Sequence, residues 1–482
     1  MQLHSIENQL RMLYRQTFSS EAISIEAIVN SGSPRKYFRI SGEEAIVIGT
    51  FNELIEENRA FISMARSLRN SGFNVPQVLA VSENELMYFQ QDIGDISLFS
   101  KIQSSRKDDD FMASIEPFYK KALEHLVRLQ VVGNDHVDYS KAWPAERFDK
   151  LTILADLNYF LYYFVKQQPD LAINEHQLQQ EFDLLASIIA DVPADYFMYR
   201  DFQSRNILLF NNDLYFIDFQ GARKGPLHYD LVSLLYQVKA ALPQEKRNEL
   251  TDFYIETLKQ QTQIDESLFR KELPYFIYLR LLQVLGAYGF RGLIQGKQHF
   301  IESIPYAIRE LEKQLEINPL PINLPVLNGL LKAIIELKSQ FPVPVQNAKN
   351  ELKIVVNSFS FLKGGIPRDD SGNGGGFVFD CRILPNPGRF SEYAMLTGLD
   401  QKVIDFLEKE AEVHSFMNHA KQIINQAVVN YKSRNFSNLM FNFGCTGGQH
   451  RSVFCASMIS QWLKIEFPDC EVITRHIEQS KK

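Results

Sequence analysis

A proline-rich stretch divides the chain into two parts with different hydrophobic patterns. Residues 317–348 contain Pro319, Pro321, Pro325, Pro342 and Pro344. Because proline favours extended, solvated connections, we place the main domain boundary in this stretch, with a linker at residues 341–350. The prediction is one domain over residues 1–340 and a second over residues 351–482, which suits a chain of 482 residues.

The first part changes from short strand-like runs to long helical stretches. Residues 1–95 predict a helix, a strand, a hairpin, a helix from Glu53 to Asn70 and two further strands. Residues 96–340 are mostly helical, with stretches rich in Leu, Phe and Tyr that are typical of a buried core. The pattern predicts a small antiparallel sheet with a helix, followed by a helical region.

The second part alternates between strands and helices. Short apolar runs at residues 352–356, 377–382 and 439–443 predict strands, and residues 401–414 and 452–464 predict helices. This alternation predicts a small α/β domain.

Composition excludes several classes of protein. Hydrophobic residues make up 45% and charged residues 23% of the chain, so it can bury a core and is not disordered throughout. With 51 basic and 58 acidic residues the formal net charge is −7, which excludes a general basic coat for nucleic acid. Four cysteines predict a reducing compartment rather than a disulfide framework. No apolar run reaches the roughly 18 residues that span a bilayer, and the first residues lack a signal-peptide core, so we expect a cytoplasmic protein without membrane contact.

A polar segment in the first part has the composition of a phosphoryl-transfer site. Asp201 and Asn206 are five positions apart, and Asp218 follows twelve positions later. One carboxylate can accept the proton of an attacking hydroxyl, while a carboxylate and an amide oxygen can hold Mg²⁺, which neutralises charge on the phosphoryl group. A strand–turn–strand between Asn206 and Asp218 would bring these two side chains face to face.

Several segments of this part resemble the aminoglycoside phosphotransferase and choline kinase family. Tyr199–Leu208 resembles its catalytic loop, Ile217–Gln220 resembles its metal-binding motif, and Gly225–Leu235 is similar to the segment that follows. Within the family, Gly32–Arg39 and Glu57–Phe61 look most similar to bacterial anomeric kinases of N-acetylmuramate and N-acetylglucosamine.

This resemblance implies an α+β protein-kinase-like bilobal domain, followed in this chain by the smaller α/β domain. Residues 1–95 would be the N-lobe and residues 96–340 the C-lobe. The cofactors implied are ATP and Mg²⁺, and the substrate is a small-molecule sugar. The resemblance makes Asp201 the general base and Asn206 and Asp218 the Mg²⁺ ligands.

Most kinase-like proteins carry a lysine on a strand of the N-lobe. The corresponding strand-like run of this chain, Ala45–Gly49, contains no lysine, and the anomeric sugar kinases are similar in this respect. We hypothesise that Arg35, Lys36 or Arg39 supplies its charge, beside a nucleotide loop that contains Gly32 and Ser33. Arginine suits this task because its planar fork binds phosphate oxygens in pairs.

A non-catalytic alternative stays open for this part. The family usually has His at the positions of Tyr199 and Gln203. Taken singly, Asp201 or Asp218 could be an ordinary turn residue. The alternative is a decayed kinase within a regulatory adapter that binds a sugar phosphate or RNA.

The second part contains a strand, a glycine-rich turn and a helix start in succession. A buried-strand pattern leads into Gly444–Ser452. Backbone N–H groups and the dipole at a helix N-terminus favour anions, Gly447 and Gly448 permit close approach, and His450 and Arg451 add charged donors. The succession predicts an anion-binding loop.

This region resembles the C-terminal domain of RapZ, the RNase adapter protein. Residues 379–387, 396–400 and 444–453 carry the resemblance. It implies binding of an amino-sugar phosphate and, in enterobacterial members, of small regulatory RNAs. The residues that it assigns to the ligand site are Cys445, Thr446, Gly447, Gly448, His450 and Arg451, with Asp380 and Arg382 nearby. RapZ proteins normally carry a P-loop ATPase module in front, and this chain has no Gly-x4-Gly-Lys-Ser/Thr motif.

Other interpretations of the loop stay open. Cys445, Arg451 and Ser452 match the Cys-x5-Arg-Ser arrangement of cysteine-dependent phosphatases, in which a thiolate attacks phosphorus. The loop could also be only a structural turn. From Lys349 onward the chain has 16 basic and 14 acidic residues, so we expect RNA binding to be weak and salt-sensitive at best.

Overall fold

A computed structural model describes residues 2–28, 35–106, 108, 110–341, 352–369, 371, 376–433 and 436–479. The chain divides into two compact units, Met1–Val343 and Pro344–Lys482. Apart from Phe341, the predicted linker at residues 341–350 lies outside the described residues. The exact limits of the predicted domains therefore stay a prediction.

The first unit begins with a five-stranded antiparallel sheet and two helices. These elements are α1 (Gln2–Phe18), β1 (Ala22–Ile28), β2 (Lys36–Gly42), β3 (Ile46–Phe51), α2 (Ile55–Asn70), β4 (Val78–Val81) and β5 (Met87–Gln91). The strand order is β1-β2-β3-β5-β4. The predicted hairpin is confirmed by the pairing of β2 with β3, in which Ile40 lies opposite Val47. Leu10, Phe38 and Phe89 are buried between α1 and the sheet.

The rest of the first unit is a helical lobe. Its helices are α3 (Leu98–Ser105), α4 (Phe111–Val131), α5 (Lys150–Tyr163), α6 (Glu175–Ala190), α7 (Leu227–Leu235), α8 (Gln244–Lys259), α9 (Glu266–Tyr288), α10 (Gln298–Ile301), α11 (Ile304–Ile317) and α12 (Pro325–Glu336). Two antiparallel ribbons lie between α6 and α7: β6 (Tyr196–Met198) with β9 (Arg223–Gly225), and β7 (Ile207–Phe210) with β8 (Asp213–Phe216).

The aromatic stretches of the helical lobe form its core, as predicted. Tyr119, Phe160, Tyr254 and Tyr278 are fully buried in one continuous apolar cluster. A π-helical segment, Gly289–Ile294, continues α9 where it packs against α5. Within the described residues, the structure contains no helix with the length and apolarity required to cross a membrane.

The proline-rich stretch is not extended throughout, and this part of the prediction is wrong. Pro325 is the first residue of α12, a position where proline is tolerated because the N–H group that it lacks would have no partner within the helix. Leu327, Leu331 and Ile334 are fully buried on one face of α12, so helical spacing of apolar residues outweighs the prolines.

The second unit is a four-stranded parallel sheet with helices, which confirms the predicted α/β class. Its elements are β10 (Lys353–Ser360), β11 (Phe377–Asp380), α13 (Gln401–Glu408), α14 (Ala411–Ser433), β12 (Asn438–Cys445), α15 (Arg451–Glu466) and β13 (Glu471–His476). The strand order is β11-β12-β10-β13.

Two element boundaries in the second unit differ from the prediction. The single helix predicted at residues 401–414 is two helices, because the buried residues Leu407 and Val413 are six positions apart and cannot share one helical stripe. The strand predicted at residues 377–382 ends at Asp380, whose side chain accepts a hydrogen bond from the backbone N–H of Arg382 and starts a 3-10 turn.

Two glycines of the first unit allow a direct test of its packing. A Cβ atom at Gly289 would lie 2.0 Å from the backbone oxygen of Tyr163, whereas a Cβ at Gly329 in α12 meets nothing within 4 Å. We expect Gly289→Ala to lower the free energy of unfolding by about 1–3 kcal/mol through overpacking. Gly329→Ala should raise it by about 0.5–1 kcal/mol by reducing the backbone entropy of the unfolded chain.

Urea unfolding measures both effects. The chain has two tryptophans, so a Trp462→Phe background leaves the fluorescence of Trp143 to report on the first unit. Equal destabilisation by the two substitutions would contradict the close approach of α5 and the end of α9.

Candidate functional site

A strained backbone turn after β6 carries the predicted catalytic loop. Arg200 has a φ of 81°, a conformation uncommon for a residue other than glycine. The buried carboxylate of Asp230 in α7 accepts hydrogen bonds from the backbone N–H groups of Tyr199, at 2.6 Å, and Arg200, at 2.9 Å. Burial raises the pKa of Asp230 to about 7, and the two N–H groups oppose this shift because they stabilise the ionised form.

An ion pair also connects the same loop to the helical lobe. The Arg200 guanidinium donates two hydrogen bonds, of 2.8 and 2.6 Å, to the carboxylate of Asp156 in α5. The next residue, Asp201, has a carboxylate oxygen 3.4 Å from Nη2 of Arg280, a buried residue of α9. Sequence reasoning missed Asp156 and Arg280, because both come from distant helices.

The β7–β8 hairpin brings the two predicted metal ligands to the same place. The Asn206 side chain donates from Nδ2 to the backbone oxygen of Asp201, at 2.9 Å. The Ile217 N–H donates to the backbone oxygen of Asn206, at 3.0 Å, so Asn206 and Asp218 flank the two ends of one hairpin. The Tyr199 hydroxyl, at a position where the family usually has His, donates to the backbone oxygen of Ile217.

Asp218, which lies just after β8, has a φ of 67°. Its Oδ1 accepts hydrogen bonds from Nη1 of Arg35, at 3.1 Å, and from Nε2 of Gln220, at 3.0 Å. Burial raises the pKa of Asp218, and the charge of Asp201 raises it further, while Arg35 acts in the opposite direction. Asp201 and Asp218 are therefore close enough for their negative charges to act on each other.

Of the three cations proposed to replace the missing lysine, Arg35 reaches the site. Its side chain is only 3% exposed and pairs with Glu57 of α2 as well as with Asp218. Glu57 lies in a segment that carries the family resemblance, but no role was predicted for it. Gly32 and Ser33, predicted for the nucleotide loop, lie outside the described residues.

The other two cations are held elsewhere. Arg39 donates from Nε to Asp92 at 2.6 Å and from Nη2 to Asp95 at 2.8 Å. The Lys36 ammonium lies 5.8 Å from the centre of the Phe51 ring. Neither has a contact with Asp218 among the described residues, so the geometry favours Arg35.

The residues at this site fit a divalent cation whose remaining ligands are phosphate oxygens of a substrate. Within the described part of the chain, no group of three or more His, Cys, Asp or Glu side chains could hold a metal by itself. Mg²⁺, however, commonly binds one or two carboxylates together with phosphate oxygens. The amide oxygen of Gln220, next to Asp218, is buried and has no hydrogen-bond partner among the described residues. Asn206 and Asp218 would hold the ion here, with Gln220 beside them.

The loop predicted to bind an anion follows β12 at the carboxyl edge of the parallel sheet of the second unit. Gly448 has a φ of 65°, and a Cβ atom there would lie 2.6 Å from Cγ of Glu478 and 3.0 Å from the backbone nitrogen of Ser360. A Cβ at Gly447 would meet nothing within 4 Å. The Ser360 hydroxyl donates to the backbone oxygen of Thr446, at 2.7 Å. The loop is therefore held against the end of β10 while Gly447 stays open.

Two residues of the predicted loop are buried beneath it. The thiol of Cys445 lies 3.1 Å from the hydroxyl of Ser452. The buried Arg451 donates from Nη1 to the backbone oxygens of Arg382 and Leu384, both at 3.0 Å. Nη1 of Arg451 thus binds the backbone of a neighbouring turn. In a cysteine-dependent phosphatase, the guanidinium at this position would bind the phosphate oxygens instead.

The remaining predicted residues lie around the loop. Nε2 of His450 is 2.9 Å from the backbone oxygen of Tyr393. Asp380 and Arg382 are half-exposed and pair with each other at 2.6 Å, and the Arg382 guanidinium lies 4.2 Å from the centre of the Phe361 ring. Their roles in ligand binding stay predictions.

Comparison with protein families assigns both parts of the chain. Residues 24–263 match the phosphotransferase enzyme family, and residues 352–480 match the RapZ C-terminal domain. The chain joins a phosphotransferase-family domain to a RapZ C-terminal domain. The two families recognised from sequence motifs are thereby confirmed, together with the kinase-like class of the first unit.

Curated relatives match only part of the chain. A nucleotide-binding protein of Actinobacillus pleuropneumoniae serotype 5b is 40% identical over 131 residues, which are 27% of this chain and 44% of that protein. A nucleotide-binding protein of Petrotoga mobilis is 37% identical over 144 residues, which are 30% of this chain and 48% of that protein. The chain thus spans less than half the length of these relatives.

Solved structures resemble the chain more distantly. The choline kinase LicA from Streptococcus pneumoniae has a TM-score of 0.44 and 12% identity, covering 64% of this chain and 99% of that one. The spectinomycin phosphotransferase APH(9)-Ia, solved with ADP and spectinomycin, has a TM-score of 0.43 and 12% identity, covering 68% and 98%.

Proposed function

We propose that the first unit is an ATP- and Mg²⁺-dependent phosphotransferase that acts on a hydroxyl of a small molecule. The acceptor we propose is an amino sugar of cell-wall metabolism, on the strength of the motifs shared with anomeric sugar kinases. The second unit would bind a phosphorylated sugar. A cytoplasmic location is part of the proposal and is supported by four cysteines, all free of disulfides.

The observation that carries this proposal is the arrangement of Asp201, Asn206 and Asp218. Asn206 donates to the backbone of Asp201, and the backbone next to Asp218 donates to Asn206. In this arrangement Asp201 would accept the proton of the acceptor hydroxyl. Bound Mg²⁺ would supply positive charge for the transferring phosphoryl group, held by Asn206 and Asp218. Arg35 would contact phosphate oxygens from the side of the sheet.

Replacing the proposed base tests the activity directly. Asp201→Asn removes the proton acceptor while keeping the shape of the side chain, so kcat for ATP-dependent phosphorylation should fall about 100- to 10,000-fold. Release of ADP across a panel of amino sugars measures it. Asp191→Asn, at an exposed position after α6, is the matched control. Turnover in Asp201→Asn within twofold of the control would contradict the assignment.

Substitution of Arg35 tests the source of the missing positive charge. Arg35→Ala should lower kcat/KM for ATP at least about tenfold, because a charged contact to phosphate is lost. Arg35→Lys should recover part of the lost kcat/KM, because it keeps a positive charge. This variant also controls for misfolding, since Arg35→Ala leaves Glu57 and Asp218 without their cationic partner. Arg39→Ala tests the rival assignment and should have the smaller effect, since Asp92 and Asp95 hold that guanidinium. A larger loss in Arg39→Ala would favour Arg39 instead.

The proposal for the second unit rests on the open, glycine-rich turn at the edge of the sheet. Gly447 leaves room above the backbone, and Thr446 is exposed beside it. Helix α15 begins at Arg451, so its N-terminal N–H groups lie next to this turn.

Two substitutions separate a ligand loop from a phosphatase. Cys445→Ser should keep the rise in melting temperature that glucosamine 6-phosphate causes in the full chain, because the buried thiol contacts Ser452 and the ligand is held by backbone. Gly448→Ala should abolish this rise, because alanine is strained at a φ of 65° and its Cβ meets Glu478. Hydrolysis of p-nitrophenyl phosphate that disappears in Cys445→Ser would instead support a phosphatase.

A non-catalytic adapter is the second candidate function. It is favoured by Tyr199, which stands where the family usually has His and whose hydroxyl bonds to the backbone of Ile217. If no amino sugar is phosphorylated by the full chain and Mg·ATP, the adapter becomes the better explanation. Binding of RNA at physiological salt would then be measured on the same protein.

A further inference from the structure

A small cavity lies on one face of the parallel sheet in the second unit. Its volume is about 160 Å³. Lys353 and Val355 of β10, Met440 of β12 and Arg475 of β13 line it, together with Arg368 from the segment that follows β10. Three neighbouring strands and one connecting segment therefore meet around this cavity.

The cavity is on the sheet face opposite the one that packs against α15. Ile354 and Val356 are fully buried in one apolar cluster with Ile459 of α15. Successive side chains of a strand point to opposite faces, so Lys353 and Val355 lie on the other face. The helices of the unit and the cavity are thus on different sides of β10.

The cavity is also distant from the glycine-rich turn along the strands. Lys353 is the first residue of β10, and Asn438, which also lines the cavity, is the first residue of β12. The turn with Gly447 follows the last residue of β12, Cys445. The cavity therefore lies toward the amino edge of the sheet, whereas the predicted ligand loop lies at the carboxyl edge.

Three of the lining residues are cations without an ion pair. Among the residues that the structure describes, Lys353, Arg368 and Arg475 have no carboxylate oxygen within 4 Å of their charged nitrogens. Other cations of this unit are neutralised, since Arg382 pairs with Asp380 and Lys432 pairs with Asp469. Like charges that surround one cavity without counterions repel each other, so an anion placed between them would be stabilised.

The strand register sets the spacing of two of these cations. In the parallel pair of β10 and β13, Lys353 lies opposite Glu471 and Asn357 lies opposite Arg475. At about 3.3 Å per residue, Lys353 and Arg475 are therefore about 13 Å apart along the strands. Val355 lies midway between these levels. Because both cations line the same cavity, their side chains approach a group above Val355 from opposite ends.

The charge of the lining matches that of a phosphate group. The cavity has one carboxylate, that of Asp369, whose oxygens accept hydrogen bonds from the N–H of Ser371, at 3.0 Å, and from its hydroxyl, at 2.8 Å. Three positive charges and this negative charge leave a net charge of +2. A phosphate monoester carries a charge of about −1.5 to −2 at neutral pH.

A buried acceptor on the same face lacks a hydrogen bond. Nδ2 of Asn357 donates to Oδ1 of Asn442 at 2.8 Å, but Oδ1 of Asn357 has no partner within the described part of the chain, although the residue is only 2% exposed. Asn357 is two positions beyond Val355 on β10 and opposite Arg475. A hydroxyl of a bound molecule, or a protonated phosphate oxygen, would satisfy this acceptor.

The size of the cavity limits what it can hold. Pockets for drug-sized ligands usually have volumes of about 300–1,000 Å³. At about 160 Å³, this cavity suits a phosphate group with few further atoms and is too small to enclose a whole nucleotide.

We propose that this cavity binds a phosphate group, either as inorganic phosphate or as part of a small phosphate ester, through Lys353, Arg368 and Arg475. The guanidinium groups bind phosphate oxygens through paired, charge-assisted hydrogen bonds, and the lysine adds a third charge. The site is separate from the ligand loop at Gly447. It does not depend on the function proposed for either unit.

A labelling experiment tests the site without any substitution. The full chain is acetylated in sodium phosphate and in sodium chloride of the same ionic strength, and the labelling rate of each lysine is measured by mass spectrometry. Phosphate well above its dissociation constant should slow the labelling of Lys353 about fivefold or more. Lys402, an exposed residue of α13, is the reference and should be labelled at the same rate in both salts. Equal labelling of Lys353 in both salts would overturn the proposal.

Substitutions then assign the protection to the cavity. Arg475→Gln should weaken phosphate binding about tenfold or more and so remove most of the protection of Lys353. If melting temperatures show that this variant does not fold, Arg368→Gln in the connecting segment serves the same purpose. Gly448→Ala should keep the protection, because that turn is at the other edge of the sheet. Protection that survives in Arg475→Gln and Arg368→Gln, or that is lost in Gly448→Ala, would overturn the proposal.

The choice of compound distinguishes the sources of the phosphate group. Protection of Lys353 by both inorganic phosphate and glucosamine 6-phosphate supports a site for the phosphate group alone. Protection by glucosamine 6-phosphate only supports a site for an ester. Equal protection by glucosamine, which has no phosphate, would overturn the proposal. An RNA oligonucleotide that protects Lys353 when neither phosphate compound does would also overturn it, and would indicate a nucleic-acid surface instead.

Discussion

The geometry of the first unit's site depends on one buried carboxylate. Asp230 accepts hydrogen bonds from two consecutive backbone N–H groups and so holds Arg200 at a positive φ. A conformation of this kind costs of order 1–3 kcal/mol and persists only where the surroundings enforce it. Because Asp201 follows directly, these hydrogen bonds also restrain the backbone from which the Asp201 side chain projects. The Arg200–Asp156 ion pair adds a second restraint from α5.

Charge balance explains why the site combines acids with Arg35. The negative charges of Asp201 and Asp218 act on each other, and Arg35 offsets that repulsion while pairing with Glu57. Breaking a buried pair by removing one partner leaves an uncompensated charge, which is strongly destabilising. Arg35 therefore connects helix α2, the sheet and the metal-binding segment in one network. β3 carries no lysine, and under the proposed function Arg35, which precedes β2, would supply that positive charge.

The second unit positions its loop by a different principle. Parallel strands end at one edge of the sheet, so the segments after β10, β11 and β12 meet there without a buried ionic clamp. Close approach at Gly448 and the backbone contacts of Arg451 set the path of the loop. Cys445 is buried, and its thiol lies 3.1 Å from the hydroxyl of Ser452.

Local patterns in the sequence determined the elements and part of the site. Alternating and helical spacings predicted the β2–β3 hairpin and the core helices, because these depend on which face a side chain occupies. The same reasoning placed Asn206 and Asp218 at the two ends of a hairpin. It failed at Pro325, where proline starts a helix, and between Leu407 and Val413, whose spacing of six residues does not fit one helical stripe.

Only the tertiary structure decided which charges meet. Arg35 finds one partner 22 positions away and another 183 positions away, and the carbonyl partners of Arg451 are 67 and 69 positions away. No spacing rule links such positions, because their proximity results from the packing of whole helices and sheets. The sequence thus determined the chemistry available to this chain, and tertiary packing decided which of its groups act together.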